Sequence, residues 1–93
     1  MITIMIPTPL RVYTNKQSQV ELEATKVQEA IDKLMETYPN LRKQLLNKDG
    51  NLRSFINIYL ADEDIRFLEK GETPLEAGDT LSIIPSIAGG YDV

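Results

Sequence analysis

The sequence contains neither cysteine nor histidine. Without cysteine the chain has no disulfide framework, no thiolate zinc site and no thiol nucleophile. Without histidine it lacks the usual general base near neutral pH and the commonest metal ligand in proteins. These two absences exclude thiol-based catalysis and remove the usual general base and the commonest metal ligand.

Positive charge is also scarce, because 10 Lys and Arg residues face 14 Asp and Glu residues and the net charge is −4. Nonspecific nucleic-acid binding needs clustered basic residues, so we expect no nucleic-acid partner, whereas a basic partner surface fits. No apolar run is long enough to span a bilayer, and residues 1–6 are too short for a signal peptide. We therefore expect one small cytoplasmic domain, monomeric and without a membrane partner.

The first part of the chain predicts a β-hairpin. Ile2, Ile4 and Ile6 alternate with the residues between them, which indicates a strand with its isoleucines on the core. Residues 20–24 alternate in the same way after a polar turn. The two segments together predict an antiparallel hairpin with one face wet.

A helix is predicted next. Thr25 and Gln28 have the spacing of a capping box, in which the Thr25 hydroxyl accepts a backbone N–H and the Gln28 side chain reaches back to the Thr25 N–H. Apolar residues follow at helical spacing over residues 27–38, and Pro39 ends the helix. Leucines within residues 41–46 predict a second, shorter helical piece.

Two acidic groups could be read as metal sites. Asp32 and Glu36 lie one helical turn apart, but like charges at this spacing repel and no third ligand is evident. Asp62, Glu63 and Asp64 form a predicted acidic turn without the pattern of a calcium loop. A solvated surface is the better interpretation of both, and no metal site is expected.

The remaining segments predict further strands. Residues 55–60 are rich in β-forming residues, Ile65 and Phe67 indicate a short strand, and residues 81–84 form the last strand. Pro85 is expected to end its pairing because proline has no backbone N–H to donate. The simplest closure is an α+β fold in which the main helix packs across one face of a four- to five-stranded mixed sheet.

Small residues and a glycine pair, Gly89 and Gly90, follow the last strand. This order of elements resembles the β-grasp fold of ubiquitin-like proteins, and more closely the ThiS/MoaD/CysO family of sulfur carriers. The segments that carry the resemblance are IPTPLR (6–11), YPNL (38–41), LRSFINIY (52–59), EDIR (63–66), TPL (73–75), GD (78–79) and IIPSIAGG (83–90). The long segment between the helix and Phe55 is more similar to the CysO and longer MoaD-like branch. The resemblance implies a β-grasp domain over residues 1–86 and a flexible tail over residues 87–93.

The resemblance also implies a chemistry for the tail. A ubiquitin-activating-type enzyme, similar to MoeB or ThiF, would use ATP and Mg²⁺ to adenylate the carboxylate of Gly90, and a sulfur donor would convert it to a thiocarboxylate. Ile87, Ala88 and Gly89 would be recognised as they pass along a narrow path, which favours residues without bulk. The chain would bind no cofactor itself and would be a protein co-substrate, not an enzyme.

The chain departs from the family pattern because Tyr91, Asp92 and Val93 follow Gly90. With them attached, the Gly90 carbonyl is part of a peptide bond and cannot be adenylated. The resemblance then implies a precursor cleaved between Gly90 and Tyr91 by a JAB/MPN-type zinc metalloprotease. The alternative is that the extension stays attached and that the domain is a noncovalent binding module.

Several partners remain open at this point. The leading hypothesis is that the carrier passes sulfide to a PLP-dependent, cysteine-synthase-like enzyme that makes cysteine or another sulfur amino acid. The protein could instead be the small subunit of molybdopterin synthase, with its tail in the large subunit, or a ubiquitin-like modifier. Members of the family dock through an outer sheet face, and Phe55, Asn57 and Tyr59 alternate onto one face of a predicted strand. That face is a candidate docking surface, although part of it could pack inside the domain.

Overall fold

The computed structural model describes residues 1–85, so the tail with Gly90 lies outside the described residues. Within this range five strands form one mixed sheet in the order β2-β1-β5-β3-β4. β1 and β5 pair in parallel, and the other neighbouring strands are antiparallel. The strands are β1 (Ile2–Met5), β2 (Gln19–Leu22), β3 (Ile56–Leu60), β4 (Glu63–Asp64) and β5 (Thr80–Pro85). The predicted α+β fold and hairpin are confirmed.

Two α-helices and several short 3₁₀ helices connect the strands. α1 (Val27–Thr37) is the main helix, and α2 (Arg42–Leu45) is the short helical piece expected before β3. The 3₁₀ helices span Thr8–Tyr13, Pro39–Leu41, Ile65–Phe67 and Lys70–Glu72. Pro39 thus ends α1 and opens a tighter turn, because its fixed φ suits the first helical position.

The core lies between α1 and one face of the sheet. Alternation in the strands places β-branched and leucine side chains on this face, where they are removed from water. The core residues are Ile2, Ile4, Ile6, Leu10, Val27, Ala30, Ile31, Leu34, Met35, Leu41, Leu45, Ile56, Ile58, Ile65, Leu75, Leu81 and Ile83. The isoleucine faces predicted for the first strand and for residues 55–60 therefore belong to one core.

The predicted capping box is wrong in its partners. Lys26, not Thr25, precedes the first residue of α1, and no side chain caps it. Glu29 takes the role expected of Gln28, because its Oε1 accepts the Thr25 N–H at 2.7 Å and the Thr25 hydroxyl at 3.0 Å. Gln28 donates instead to Asp32 Oδ1 at 2.9 Å. α1 begins one residue later than the predicted capping box requires. The side chain that accepts the Thr25 N–H therefore belongs to Glu29 instead of Gln28.

The short strand predicted at Ile65 and Phe67 is also wrong, because both residues lie in a 3₁₀ helix. The strand is the preceding dipeptide, Glu63–Asp64, which the sequence indicated as part of a turn. It pairs with the end of β3, where Asp64 lies opposite Tyr59. The Asp64 carboxylate accepts the Arg66 N–H at 2.9 Å and so favours a tight turn immediately after β4.

Candidate functional site

The described part of the chain ends in the middle of the sheet. β5 lies between β1 and β3, and its last residue, Pro85, is also the last described residue. Pro85 lies opposite Ile56, the first residue of β3, so the pairing extends one residue further than the sequence predicted. Proline has no N–H to donate, but its carbonyl can still accept a hydrogen bond, so proline can occupy the end of a strand. The described chain thus ends beside the start of β3, and we call this end, at Pro85, the tail exit.

The outer face of the sheet surrounds this exit. Strand register aligns one outward-facing residue from each of four strands in a row across the sheet: Gln19, Met5, Ser82 and Tyr59. These residues alternate with core residues, so they lie on the face opposite α1. The row gives the sheet a mixed polar and apolar outer surface.

Two apolar side chains on this face are solvent-exposed close to the exit. Met5 is 37% exposed at the end of β1, and Ile84 is 43% exposed next to Pro85. Neither was identified from the sequence. Each of them is next to a buried isoleucine, and this alternation indicates a side chain on the outer face. That the two lie on neighbouring strands is shown only by the parallel pairing of β1 with β5.

The structure separates the three residues of the predicted docking surface. Asn57 and Tyr59 are half-buried on the outer face of β3, and Asn57 lies opposite Ile84. Phe55 lies in the turn before β3 and packs against the core. The outer face therefore brings Asn57 and Tyr59 together with Ile84 but does not include Phe55 as a strand residue.

A strong ion pair fixes the edge of this surface. The Arg66 guanidinium approaches both oxygens of Asp64, with Nη2 2.7 Å from Oδ2. Hydrogen bonds from the Arg66 side chain and backbone lower the pKa of Asp64, although burial opposes them. The same side-chain hydrogen bond raises the pKa of Arg66. Both groups are therefore charged near neutral pH, and the pair holds β4 against the following turn.

The other acidic groups of the described residues form no cluster suited to a metal ion. No group of three acidic side chains within residues 1–85 is arranged to hold a metal ion. Asp32 accepts its hydrogen bond from Gln28, and Glu36 is exposed on the same helix. No helix in the described range is both long and apolar enough to cross a membrane.

A small cavity lies between α1 and the loop that precedes β3. Its volume is about 220 Å³. This is below the ~300–1,000 Å³ of typical small-molecule sites. Its lining residues include Val27, Ile31, Leu46, Leu52 and Ile58. The outer sheet face and the tail exit are therefore the better candidate site.

These features define a class of protein. A helix packed across a mixed five-stranded sheet whose central strand leads into the C-terminal segment is the β-grasp architecture of ubiquitin-like proteins. The model of the ThiS family matches residues 4–90, and the chain belongs to that family.

Individual relatives agree with this assignment. The sulfur carrier protein CysO of Mycobacterium tuberculosis (strain ATCC 25618 / H37Rv) is 35% identical over 91 residues, which cover 96% of this chain and 98% of the relative. A chain of the Amycolatopsis orientalis BexX/CysO complex is 38% identical with a TM-score of 0.86, covering 97% of this chain and 100% of that one. The small archaeal modifier protein 1 of Methanosarcina acetivorans is 27% identical with a TM-score of 0.85, covering 96% and 95%. The resemblance to the ThiS/MoaD/CysO family is confirmed.

Proposed function

We propose that this protein is a sulfur carrier that is loaded at Gly90 after removal of Tyr91, Asp92 and Val93. The observation that supports this most directly is where the similarity ends. The family model extends past the described sheet through both glycines and stops at residue 90. Residue 90 is thus the position that would form the chain end after cleavage by a JAB/MPN-type metalloprotease.

The chemistry requires activation because a carboxylate is a poor electrophile. On an activating enzyme similar to MoeB or ThiF, a Gly90 carboxylate oxygen attacks the α-phosphorus of ATP, and pyrophosphate leaves. Hydrosulfide from a sulfur donor then attacks the acyl carbon of the adenylate and displaces AMP, which leaves a thiocarboxylate on Gly90. Mg²⁺ on the activating enzyme would neutralise the phosphate charge. The absence of cysteine and histidine fits this role, since the partners supply the catalytic groups.

The loaded sulfur would pass to a PLP-dependent, cysteine-synthase-like enzyme, for cysteine or another sulfur amino acid. Relatives named CysO support a carrier role, and the BexX/CysO complex shows that one such relative assembles with a second protein. We assign docking to the outer sheet face around Met5, Asn57, Tyr59 and Ile84, because it borders the tail exit. Binding there would direct the tail into the partner while α1 faces away. We place this exchange in the cytoplasm.

The proposal is tested with the chain ending at Gly90 and the activating enzyme of the same organism. We expect ATP–pyrophosphate exchange with this form and none with the full-length chain. After incubation with a sulfur donor, the intact mass should rise by the difference between one sulfur and one oxygen atom. Gly90→Ala should melt like the parent and lose exchange. If every molecule isolated from the host retained Val93, or if the Gly90-ended form supported no exchange, the proposal would fail.

A second candidate function is a ubiquitin-like modifier, favoured by the similarity to a small archaeal modifier protein. In that case Gly90 would form isopeptide bonds to lysines of other proteins. Adducts that persist on denaturing gels under reductant would support it. If the protein acts only as a sulfur carrier, only its free and thiocarboxylated forms should be found. A stable complex with a large subunit would instead indicate the small subunit of molybdopterin synthase.

A further inference from the structure

A basic groove is formed by the segment of the chain between α1 and β3. Its volume is about 450 Å³. We define the basic groove by its four cationic side chains, Arg42, Lys43, Lys48 and Arg53, which are joined in the lining by Leu46 and Asn47. The segment 42–53 contains one acidic residue, Asp49, in a chain whose net charge is −4. Positive charge is thus concentrated in one place on an acidic molecule.

Within the described part of the chain, the cations of the basic groove have no carboxylate partners. Within residues 1–85, Lys26, Lys33 and Arg66 each lie within 4.0 Å of a carboxylate oxygen, but none of the four groove cations does. Arg42, Lys43 and Lys48 are exposed. Their charges are therefore available to a partner without breaking an existing ion pair.

The backbone around Arg53 fixes one side of the groove. The Arg53 Nε donates to the Lys43 carbonyl at 3.0 Å, and its backbone N–H donates to the Leu45 carbonyl at 2.8 Å. The Asn47 side chain accepts the N–H of Asp49 at 2.9 Å and so shapes the turn that carries Lys48. A guanidinium held in this way loses less conformational entropy when it meets an anion.

The Arg53 side of the basic groove lies near the end of β5. The Arg53 carbonyl accepts the N–H of Ile56 at 2.9 Å, and Ile56 lies opposite Pro85. Three residues span at most about 11 Å, and opposed strand residues are about 5 Å apart. A standard protein interface covers roughly 800 Å² per partner, so a protein that receives the tail would also cover part of the groove.

We propose that the basic groove docks against an acidic rim on the enzyme that activates the tail. The inference rests on the proposed function and adds the chemistry of the partner surface. Carboxylates around the entrance of the tail path would pair with Arg42, Lys43, Lys48 and Arg53 and would orient the carrier during encounter. Complementary charge of this kind raises the association rate more than it raises the affinity of the docked complex.

A protein surface fits this groove better than a nucleic acid does. Outside the groove, acidic residues outnumber basic ones, which would repel the extended phosphate backbone of RNA or DNA. A compact acidic rim on a protein would contact only the basic groove and not the acidic surface around it. The apolar Leu46 in the lining also matches a protein interface, in which charged residues surround apolar ones.

The test compares two double variants with the same change in net charge. Lys43→Glu/Lys48→Glu reverses charge in the groove. Lys16→Glu/Lys70→Glu does so at two exposed lysines outside it that also lack an ion pair within the described residues. Each is made in the chain ending at Gly90, which retains the whole described sheet. The KM for the carrier in ATP–pyrophosphate exchange is measured with the activating enzyme of the same organism. Thermal melting checks that all forms are folded.

At about 0.1 M salt, where the Debye length is about 10 Å, we expect the groove variant to raise KM roughly tenfold with kcat unchanged. At about 1 M salt the difference should fall below about twofold, and the control variant should stay below about twofold throughout. Equal effects of the two variants, or a groove effect that salt does not weaken, would overturn the inference.

The outcomes separate the two proposals. No exchange with the parent form rejects the proposed function and, with it, this inference. Normal exchange with an unchanged KM in the groove variant rejects the inference alone. If a short fluorescent RNA bound the parent but not the groove variant while KM was unchanged, the groove would be a nucleic-acid site instead.

Discussion

At the scale of single residues, Asp64 and Arg66 form the most unequal ion pair of the described structure. Asp64 is only 5% exposed, whereas the Arg66 side chain is 60% exposed. A buried carboxylate depends on its hydrogen bonds, because removal of its partner leaves an uncompensated charge away from water. The pair is therefore expected to stabilise the edge of the sheet at β4.

The pair makes stability depend on acid pH. The pKa of Asp64 is lowered below its ordinary value of 3.8, so the folded protein holds this group ionised where the unfolded chain protonates it. This stability is present above the unfolded pKa and is lost as pH falls through the folded pKa. We expect Asp64→Asn to lower Tm near neutral pH and to reduce the fall in Tm between about pH 5 and about pH 2.

Circular dichroism melts across this pH range provide the measurement. Asp62→Asn is the control, because Asp62 is exposed and has no ion pair within residues 1–85. The control should melt like the parent near neutral pH. An Asp64→Asn variant whose Tm falls as steeply as that of the parent on acidification would contradict the role given to this pair.

At the scale of elements, β1 divides the core from the outer face. Ile4 is fully buried against the core, and its neighbour Met5 points to the other side of the sheet with 37% exposure. We expect Ile4→Ala to reduce the free energy of unfolding by about 2–5 kcal/mol, because it leaves a cavity. Met5→Ala should cost less than about 1 kcal/mol.

Urea unfolding monitored by circular dichroism measures both variants, and Ile31→Ala on α1 should resemble Ile4→Ala, since it lies across the same core. Similar losses for Ile4→Ala and Met5→Ala would show that the register of β1 is not as described.

The elements also show how far the sequence predicts the structure. Alternation and helical spacing are sufficient for β1, β2, α1 and β3, since each buries one face in a single core. They are insufficient for β4, because two residues carry no periodicity and its position depends on Asp64 and Arg66. The outer face is predicted only in part. Asn57 and Tyr59 follow from one strand, whereas Ile84 requires knowledge of which strands are neighbours.

At the scale of the whole molecule, the two proposed docking regions differ in chemistry. The outer sheet face offers exposed apolar residues such as Ile84, and the basic groove offers unpaired cations. Apolar contacts are insensitive to screening, whereas exposed charge pairs weaken with salt. Their contributions to partner binding can therefore be separated by ionic strength.

We expect Ile84→Lys to raise the KM for the carrier in ATP–pyrophosphate exchange by roughly tenfold, with an effect that persists at about 1 M salt. Phe67→Lys is the control, because Phe67 is 82% exposed and lies in the 3₁₀ helix after β4, not in a strand of the outer sheet face. An Ile84→Lys variant with the KM of the parent would remove this face from the proposed docking surface.

The parallel pairing of β1 with β5 has a consequence for synthesis on the ribosome. Thr3 finds its neighbour Thr80 only after nearly the whole described chain has been made. Until β5 is made, its position between β1 and β3 is unfilled. Pairing of β1 with β5 is slow because it closes a loop of nearly the whole described chain. A nascent chain thus cannot complete its sheet before the segment that leads into the glycines has emerged. Unfinished chains therefore lack both the completed sheet and the C-terminal glycines.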